Sequence, residues 1–556
     1  MAEIPWHSSA AAAAPVAHGV VGHGRNVDVT LVDHPVCGPL VRSGLLVGVA
    51  FALEVVLRRG SALPAAAYEK GLLVMAQLRI LATSGAPGVL ALAAGALLLG
   101  AAIRSRSLGP RWTDLEPDAR LRWLVGTLVA LLAFVFATHD YNFYFDRGYW
   151  FERTLVVTLV PLVVWRPAFT LVFLAALLPI GWQFFHPIGG FSWAPASLPI
   201  RVVNLFAAWW LLRLVTRRVR TADFVFVLCC LIAAHYWVSG WGKLRLGWVA
   251  TDQVGFLLPS TYANGWLGFL DPTTIGALAR ALGTLNVPMK AGTLLVECGA
   301  LLMLSRRTTV RWFLLAAIAL HIAIFALTGI GFWLWTIVDA LVLILVFGRR
   351  RPDVPIFTRP HFALAVILIG GGAIWFRPTP LVWLDARATY TYRLEAISES
   401  GNVHTLPPAF FAPYDYQFTL GGFRYLVDAP RLAITWGATH DARLAAALNA
   451  ARTPERILAL ESELGRNDYD AARAARFDTF IRGFVGTWQR RGGRSRWLSP
   501  LQAPATLWTF PRADPGLDGE RIQRVDVYEM LSFFDGRRYA EIRRTPVRTI
   551  PVESEP

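Results

Sequence analysis

Residues 222–244 read ADFVFVLCCLIAAHYWVSGWGKL, an apolar run of membrane length that ends at a lysine. A helix needs about 20 mainly apolar residues to cross roughly 30 Å of hydrocarbon. A charged amine at such a depth is costly unless it is paired or reaches water along its own stem. The run therefore predicts a transmembrane helix, and it makes Lys243 the first candidate for a functional side chain.

The composition of the whole chain agrees with that run. Its 556 residues are 55% hydrophobic and 17% charged, whereas soluble proteins average about 25% charged residues. The net charge of +16 comes largely from arginine clusters in short loops between apolar runs, where the positive-inside rule places them. We therefore expect a polytopic membrane protein whose surroundings are membrane lipid, and no nucleic-acid partner.

The apolar runs predict an all-α transmembrane bundle of about 9–11 helices. The eleven candidate spans are residues 43–57, 87–103, 122–138, 150–165, 168–184, 200–215, 222–238, 291–305, 311–328, 331–347 and 362–376. With a cytoplasmic N-terminus, this count puts four arginine-rich loops inside and the C-terminal region outside. His139 and Lys243 then lie at the same outer face.

The composition changes near residue 377. Residues 390–397 alternate in the manner of a strand and lead to the turn residues 400–402, residues 441–490 predict two helices, and the dipeptide at 535–536 predicts a hairpin. We predict three parts: a loosely ordered cytoplasmic tail (1–41), a transmembrane bundle (42–376) and an extracytoplasmic α+β domain (377–556). No cysteine lies in the third part, so that domain is expected to fold without disulfides.

Lys243 has two interpretations. It can be an interfacial anchor beside Trp241 and Trp248 that reaches lipid headgroups, or it can be a base. Gly240 and Gly242 on either side of Trp241 permit close backbone approach, and Arg245 would depress the pKa of a nearby amine.

His139 also has two interpretations. It can belong to an interfacial aromatic belt, or it can donate a hydrogen bond to developing negative charge, oriented by Asp140. Glu297, His321 and Asp339 lie inside apolar runs, where ionisable groups are either functional or tied to a neighbouring helix. We expect Asp271 and Asp385 to be loop or cap residues, and we expect no metal site.

These residues together resemble a known family. The segment YWVSGWGKL (236–244) with Trp248 is similar to the lysine segment of vitamin K-dependent gamma-carboxylases and of the wider HTTM (horizontally transferred transmembrane) proteins. The resemblance extends to His139 with Tyr141, and to Glu297, the pair 306–307, His321 and the motif GIGF (329–332). The carboxylases have two adjacent lysines where this chain has Gly242-Lys243.

The resemblance implies a helical bundle in a bacterial plasma membrane, followed by an extracytoplasmic domain. It implies Lys243 and His139 as catalytic residues, with Glu297, His321 and Arg245 in substrate binding. The implied co-substrates are a reduced quinone, dioxygen and carbon dioxide, and the implied partner is a secreted peptide or protein with a glutamyl side chain.

One other class of function stays open at this point. The chain can be a non-enzymatic membrane protein that helps to export or mature a secreted partner.

Overall fold

The computed structural model describes residues 37–83, 111–115, 119–138, 143–189, 194–216, 218–251, 254–348, 354–493, 501–510, 516–517 and 519–552. The predicted span 87–103, residues 1–36 of the predicted tail, and His139 lie outside these residues.

Helices account for most of the described chain up to residue 375. In chain order they are α1 (Cys37–Ser61), α2 (Ala65–Glu69), α3 (Leu73–Thr83), α4 (Trp112–Leu115), α5 (Arg120–Thr138), α6 (Trp150–Trp165), α7 (Phe169–Trp182), α8 (Ala194–Val215), α9 (Thr221–Leu246), α10 (Val254–Ala263), α11 (Pro272–Thr284), α12 (Asn286–Gly299), α13 (Arg307–Thr328), α14 (Trp333–Leu341), α15 (Arg359–Gly370) and α16 (Gly372–Trp375).

Six of the described helices are long and apolar enough to cross a membrane, judged by length and composition. They are α1, α5, α8, α9, α13 and α12 with its continuation to Ser305. Four of the eleven predicted spans form shorter helices, at α6, α7, α14 and α15, so the predicted bundle of about 9–11 helices is confirmed in part among the described residues. Helix-ending residues account for part of this, because Pro167 follows α6 and the run Gly370–Gly372 ends α15. The six long helices indicate a membrane protein.

Helix α9 lies at the centre of the bundle. Of its most apolar stretch, 83% is buried inside the protein, against α1, α8, α12 and α15. The end of α9 that carries Lys243 is less enclosed, with Trp241 49% and Leu244 41% exposed.

The C-terminal region contains the strands. They are β1 (Leu384–Asp385), β2 (Ala388–Ser398), β3 (Val403–Leu406), β4 (Ala438–Thr439), β5 (Ile522–Phe534) and β6 (Tyr539–Pro551). β1 pairs with β4, and the other four form an antiparallel sheet in the order β3-β2-β5-β6. The predicted strand at 390–397 is confirmed within β2, and the predicted hairpin is confirmed because Asp535 accepts hydrogen bonds from the N–H groups of Arg537 and Arg538 between β5 and β6.

The helices of this region are α17 (Asp415–Leu420), α18 (Ala442–Ala450), α19 (Pro454–Leu464) and α20 (Ala471–Arg490). The sequence predicted two helices over 441–490, and the structure has three. Thr453 caps a new helix whose first residue is Pro454, and proline is favoured at that position because it has no N–H to leave unpaired.

The C-terminal region contacts the bundle directly at the GIGF motif. The Gly331 N–H donates to the Thr506 carbonyl (2.7 Å), and the Trp508 N–H donates to the Gly329 carbonyl (3.0 Å). Gly329 has a φ of +70°, and a Cβ there would lie 2.6 Å from the Trp266 ring. Glycine is therefore required at this position. The ends of α9 and α13 meet the C-terminal region on the same side of the protein.

Candidate functional site

Lys243 lies in the last turn of α9 and is paired with a carboxylate. Its Nζ donates to Oε1 of Glu297 on α12 at 2.5 Å, and the two side chains are only 12% and 7% exposed. A lysine that anchored the helix to headgroups would be exposed, so the structure contradicts that interpretation. Two charges removed from water are stable only in close contact, because each alone would carry a large desolvation cost.

Two glycines allow this contact. A Cβ at Gly240 would lie 2.8 Å from Glu297 Cβ and 3.0 Å from Cys298 Sγ, and a Cβ at Gly242 would lie 2.6 Å from Val382 Cγ2. Carbon atoms pack comfortably at about 3.5–4.0 Å, so any larger residue would push the neighbouring segments away. The close approach predicted for the Gly-Trp-Gly segment is confirmed.

Asp385 is a second carboxyl group near Lys243. It lies in β1, is 4% exposed, and burial raises the pKa of Asp385 to about 8, opposed by a hydrogen bond with the Trp383 side chain and by the positive charge of Lys243. At neutral pH the protonated acid therefore predominates, which leaves Glu297 as the carboxylate in contact with the amine. The expectation that Asp385 is a loop or cap residue is wrong, because it lies in a short buried strand. Asp271 does cap α11.

A second polar cluster lies two turns earlier on α9. The Tyr236 hydroxyl donates to Asp339 Oδ2 at 2.6 Å, and Nδ1 of His321 lies 3.9 Å from the same oxygen. The His321 ring packs against Phe332, with ring centroids 5.3 Å apart. His321 and Asp339 both lie beside Tyr236, whose ring centroid is 5.6 Å from that of His321. Glu297 is close enough to Tyr236 for the two groups to interact electrostatically.

Two atoms of this cluster and one of the Lys243 pair are buried without a hydrogen-bond partner among the described residues. They are His321 Nδ1, Asp339 Oδ1 and Glu297 Oε2. Unsatisfied polar atoms are costly in an apolar interior and mark places where a proton or a ligand atom can be accommodated. The sequence indicated His321, Asp339 and Glu297 individually, and it gave no signal for the part played by Tyr236.

A cavity of about 980 Å³ lies beyond the end of α9, between the bundle and the C-terminal region. Arg245 and Leu246 line it, whereas Lys243 does not. Val382, which packs against Gly242, lines it too. The cavity therefore begins next to the Lys243 pair without including the amine itself.

The described walls of this cavity are aromatic and positively charged. Its charged or titratable residues are Arg245, Arg424, Arg466, His440 and Asp441, and its aromatic residues are Phe332, Trp383, Tyr416 and Trp436. The Asp441 carboxylate is already occupied, because it accepts the N–H groups that begin α18, and Arg424 is paired with Asp468 at 3.1 Å. The balance of charge favours an anionic ligand group.

The structure brings together some of the predicted site residues. Lys243 and Glu297 are in contact, His321 lies with Tyr236 and Asp339, and Arg245 lies on the cavity wall. His139 is outside the described residues, so its predicted catalytic role stays a prediction. No group of three or more His, Cys, Asp or Glu residues able to hold a metal ion occurs in the described part of the chain.

No family model matches this chain. Neither a curated protein nor a solved structure matches it. The function is therefore argued from the site.

Proposed function

We propose that this chain is an integral membrane enzyme of the vitamin K-dependent gamma-carboxylase-like class, in which Lys243 is the base that acts on a reduced quinone. The observation that carries the proposal is the buried contact between Lys243 Nζ and Glu297 Oε1. It lies at the end of the central helix, beside a cavity large enough for a substrate.

The proposed orientation follows from charge. The arginines at the end of α8, the start of α9 and the start of α13 lie at the ends opposite Lys243, and positive loops favour the cytoplasm. The Lys243 pair, the cavity and the C-terminal region are then extracytoplasmic, and the N-terminus is cytoplasmic.

Lys243 can act as a base only as the free amine. Transfer of the Nζ proton to Oε1 of Glu297 turns the ion pair into a neutral amine and a carboxylic acid, with no change in net charge. The amine lone pair is then available to take a proton from an acidic hydroxyl group.

The walls of the large cavity suit the implied co-substrate. Ligand cavities are typically about 300–1,000 Å³ and mostly apolar, and Trp383 and Trp436 offer flat apolar surfaces for a fused ring. When bound, a reduced quinone would supply, together with dioxygen, a base strong enough to remove a γ-proton from a glutamyl side chain before carbon dioxide is added.

Residues of this protein supply the remaining roles, which are substrate binding, hydrogen bonding and the exclusion of water. Arg245, Arg424 and Arg466 attract the carboxylate of a glutamyl substrate, since guanidinium groups bind carboxylates in a bidentate manner. His139 is proposed to donate a hydrogen bond to the developing negative charge. The site lies where the bundle meets the C-terminal region, which would limit access of water to a strong base.

The second candidate is a non-enzymatic membrane protein that assists the export or maturation of a secreted partner. The same Lys243–Glu297 contact favours it if the contact only ties α9 to α12, because polar pairs commonly join helices inside a membrane. The large cavity would then hold a segment of the partner.

One experiment separates the two candidates. The protein is purified in native lipid nanodiscs, its bound quinone is extracted and identified, and oxygen uptake is measured after addition of reduced quinone and a glutamyl peptide. The enzyme proposal predicts quinone-dependent oxygen uptake by the wild type. A folded wild-type protein that consumes no oxygen with any reduced quinone supports the alternative.

A further inference from the structure

A second cavity, of about 240 Å³, lies between α1, α7 and α8. Neither Lys243 nor Glu297 lines it, and Thr379 is the one described residue that it shares with the larger cavity. Among its described lining residues the charged ones are Glu54, Arg58, Arg201 and Arg377. One carboxylate therefore faces three guanidinium groups.

Arg201 is the buried member of this group. Its side chain is 8% exposed, and its Nε lies 3.6 Å from Glu54 Oε1, beyond hydrogen-bonding distance. Its two terminal nitrogens contact the Arg377 carbonyl (2.8 Å) and His235 Nε2 (3.3 Å). Neither of these contacts brings a negative charge.

Glu54 is also shared with Arg58. The Arg58 guanidinium approaches Glu54 Oε1 at 2.6 Å, the same oxygen that faces Arg201. The described charges around the cavity sum to one negative and three positive, a net of +2. Arg201 is the buried one of the three and shares Glu54 with Arg58, so a further anion in the cavity would balance its charge.

The remaining walls of the cavity are apolar. They include Leu57, Leu174, Leu178, Trp182 and Phe185. A small inorganic anion would leave this surface uncovered, whereas a chain attached to the anion would cover it. Arginine favours phosphate in particular, because its planar fork matches two phosphate oxygens at once.

We infer that this cavity binds a membrane amphiphile with an anionic phosphate head. The head lies between Arg58, Arg201 and Arg377, and the apolar tail lies along Leu57, Leu174 and Leu178. The inference concerns ligand binding and does not depend on Lys243 chemistry. Two sources share this head-group chemistry, an anionic phospholipid and free phosphate, and the apolar walls favour the phospholipid.

The test measures lipid retention. Wild-type protein is reconstituted in nanodiscs that contain equal amounts of phosphatidylglycerol and phosphatidylcholine, and the lipid retained after ejection is counted by native mass spectrometry. Arg58→Gln and Arg377→Gln are each expected to reduce retained phosphatidylglycerol about fivefold, from the usual contribution of one basic residue to anionic lipid binding. These two side chains are more exposed than Arg201, so their replacement should leave the fold intact.

Arg59→Gln is the matched control. Arg59 is exposed at the same end of α1 and is not among the lining residues of the cavity. Its replacement should leave retention unchanged. An equal loss of phosphatidylglycerol in the Arg59 and Arg377 variants would show that general surface charge holds the lipid, and would overturn the inference.

Two further arms complete the test. Glu54→Gln removes the competing carboxylate and should increase phosphatidylglycerol retention, whereas a folded Glu54→Gln protein with reduced retention counts against the site. Inorganic phosphate should raise the melting temperature much less than phosphatidylglycerol does. An equal rise with phosphate alone would mean that the apolar walls take no part, and the amphiphile would be rejected.

Discussion

Gly240→Ala is expected to separate α9 from α12 and weaken the Lys243–Glu297 contact. The added methyl group would lie 2.8 Å from Glu297 Cβ, about 1 Å closer than carbon atoms normally pack. Overpacking of this kind costs about 1–3 kcal/mol. The backbone is helical on both sides, so alanine regains up to about 1 kcal/mol of helix propensity.

Gly292→Ala on α12 is the matched control, since nothing lies within 4 Å of a Cβ at that position. It gains the same helix propensity without a collision. The free energy of unfolding, measured by denaturant titration in micelles, should therefore be lower for Gly240→Ala than for Gly292→Ala by about 1–3 kcal/mol. Equal stability of the two variants would refute the close approach of α9 and α12.

The Cys298 thiol gives a second measurement of the same separation. Its sulfur would lie 3.0 Å from the new methyl group, whereas Cys229 and Cys230 are fully buried. In a Cys37→Ser background, maleimide should react faster with Cys298 when Gly240 is replaced by alanine. An unchanged rate together with unchanged stability would contradict the proposed geometry.

Three further predictions concern buried polar groups. Asp385→Asn should stabilise the protein progressively as pH rises from about 4 to about 8, by up to about 5 kcal/mol. The reason is that the raised pKa makes ionisation of the Asp385 carboxyl in the folded protein costly over that interval and not below it. Unfolding titrations at several pH values check this, and a pH-independent difference between the two proteins would contradict it. Tyr236→Phe leaves the buried Asp339 carboxylate without its 2.6 Å hydrogen bond and should lower the unfolding free energy by about 1–3 kcal/mol. Glu529→Gln breaks the buried ion pair between Glu529 and Arg431, whose atoms lie 2.6 Å apart, and should lower the unfolding free energy by about 3–5 kcal/mol. Glu463 pairs with Arg456, and both side chains are 49% exposed. Glu463→Gln should therefore lower it by less than about 0.5 kcal/mol in the same titration.

Local sequence patterns predicted the individual helices and strands of this fold better than they predicted the contacts between them. The strand at 390–397 and the hairpin at 535–536 were correct because alternation and turn residues act over a few positions. The spans at α6, α7, α14 and α15 were located from composition, but composition measures apolarity alone and does not show whether a helix is long enough to cross a membrane. Pro167 and Gly370–Gly372 interrupt runs that remain apolar overall.

The candidate site was predicted as separate residues and not as a site. Lys243 and Glu297 were both singled out from the sequence, yet they are 54 positions apart, and no periodicity indicates which helices are neighbours. Asp385 was misjudged because a two-residue strand has no pattern of its own. Tyr236 resembled one more aromatic residue in an apolar run until its hydrogen bond to Asp339 was located.

The most direct test of the central claim compares two buried lysines. Lys290 is 7% exposed and donates to the carbonyls of Val249 and Thr251, so it is a structural counterpart of Lys243. Epoxide formation from reduced quinone is measured for the wild type, Lys243→Ala and Lys290→Ala in nanodiscs. Lys243→Ala should fold and lose activity by a factor of about 10²–10⁴, the usual contribution of a general base, while Lys290→Ala should lose stability and keep the activity of the folded fraction. Wild-type epoxidation retained in folded Lys243→Ala would contradict the assignment of Lys243 as the base.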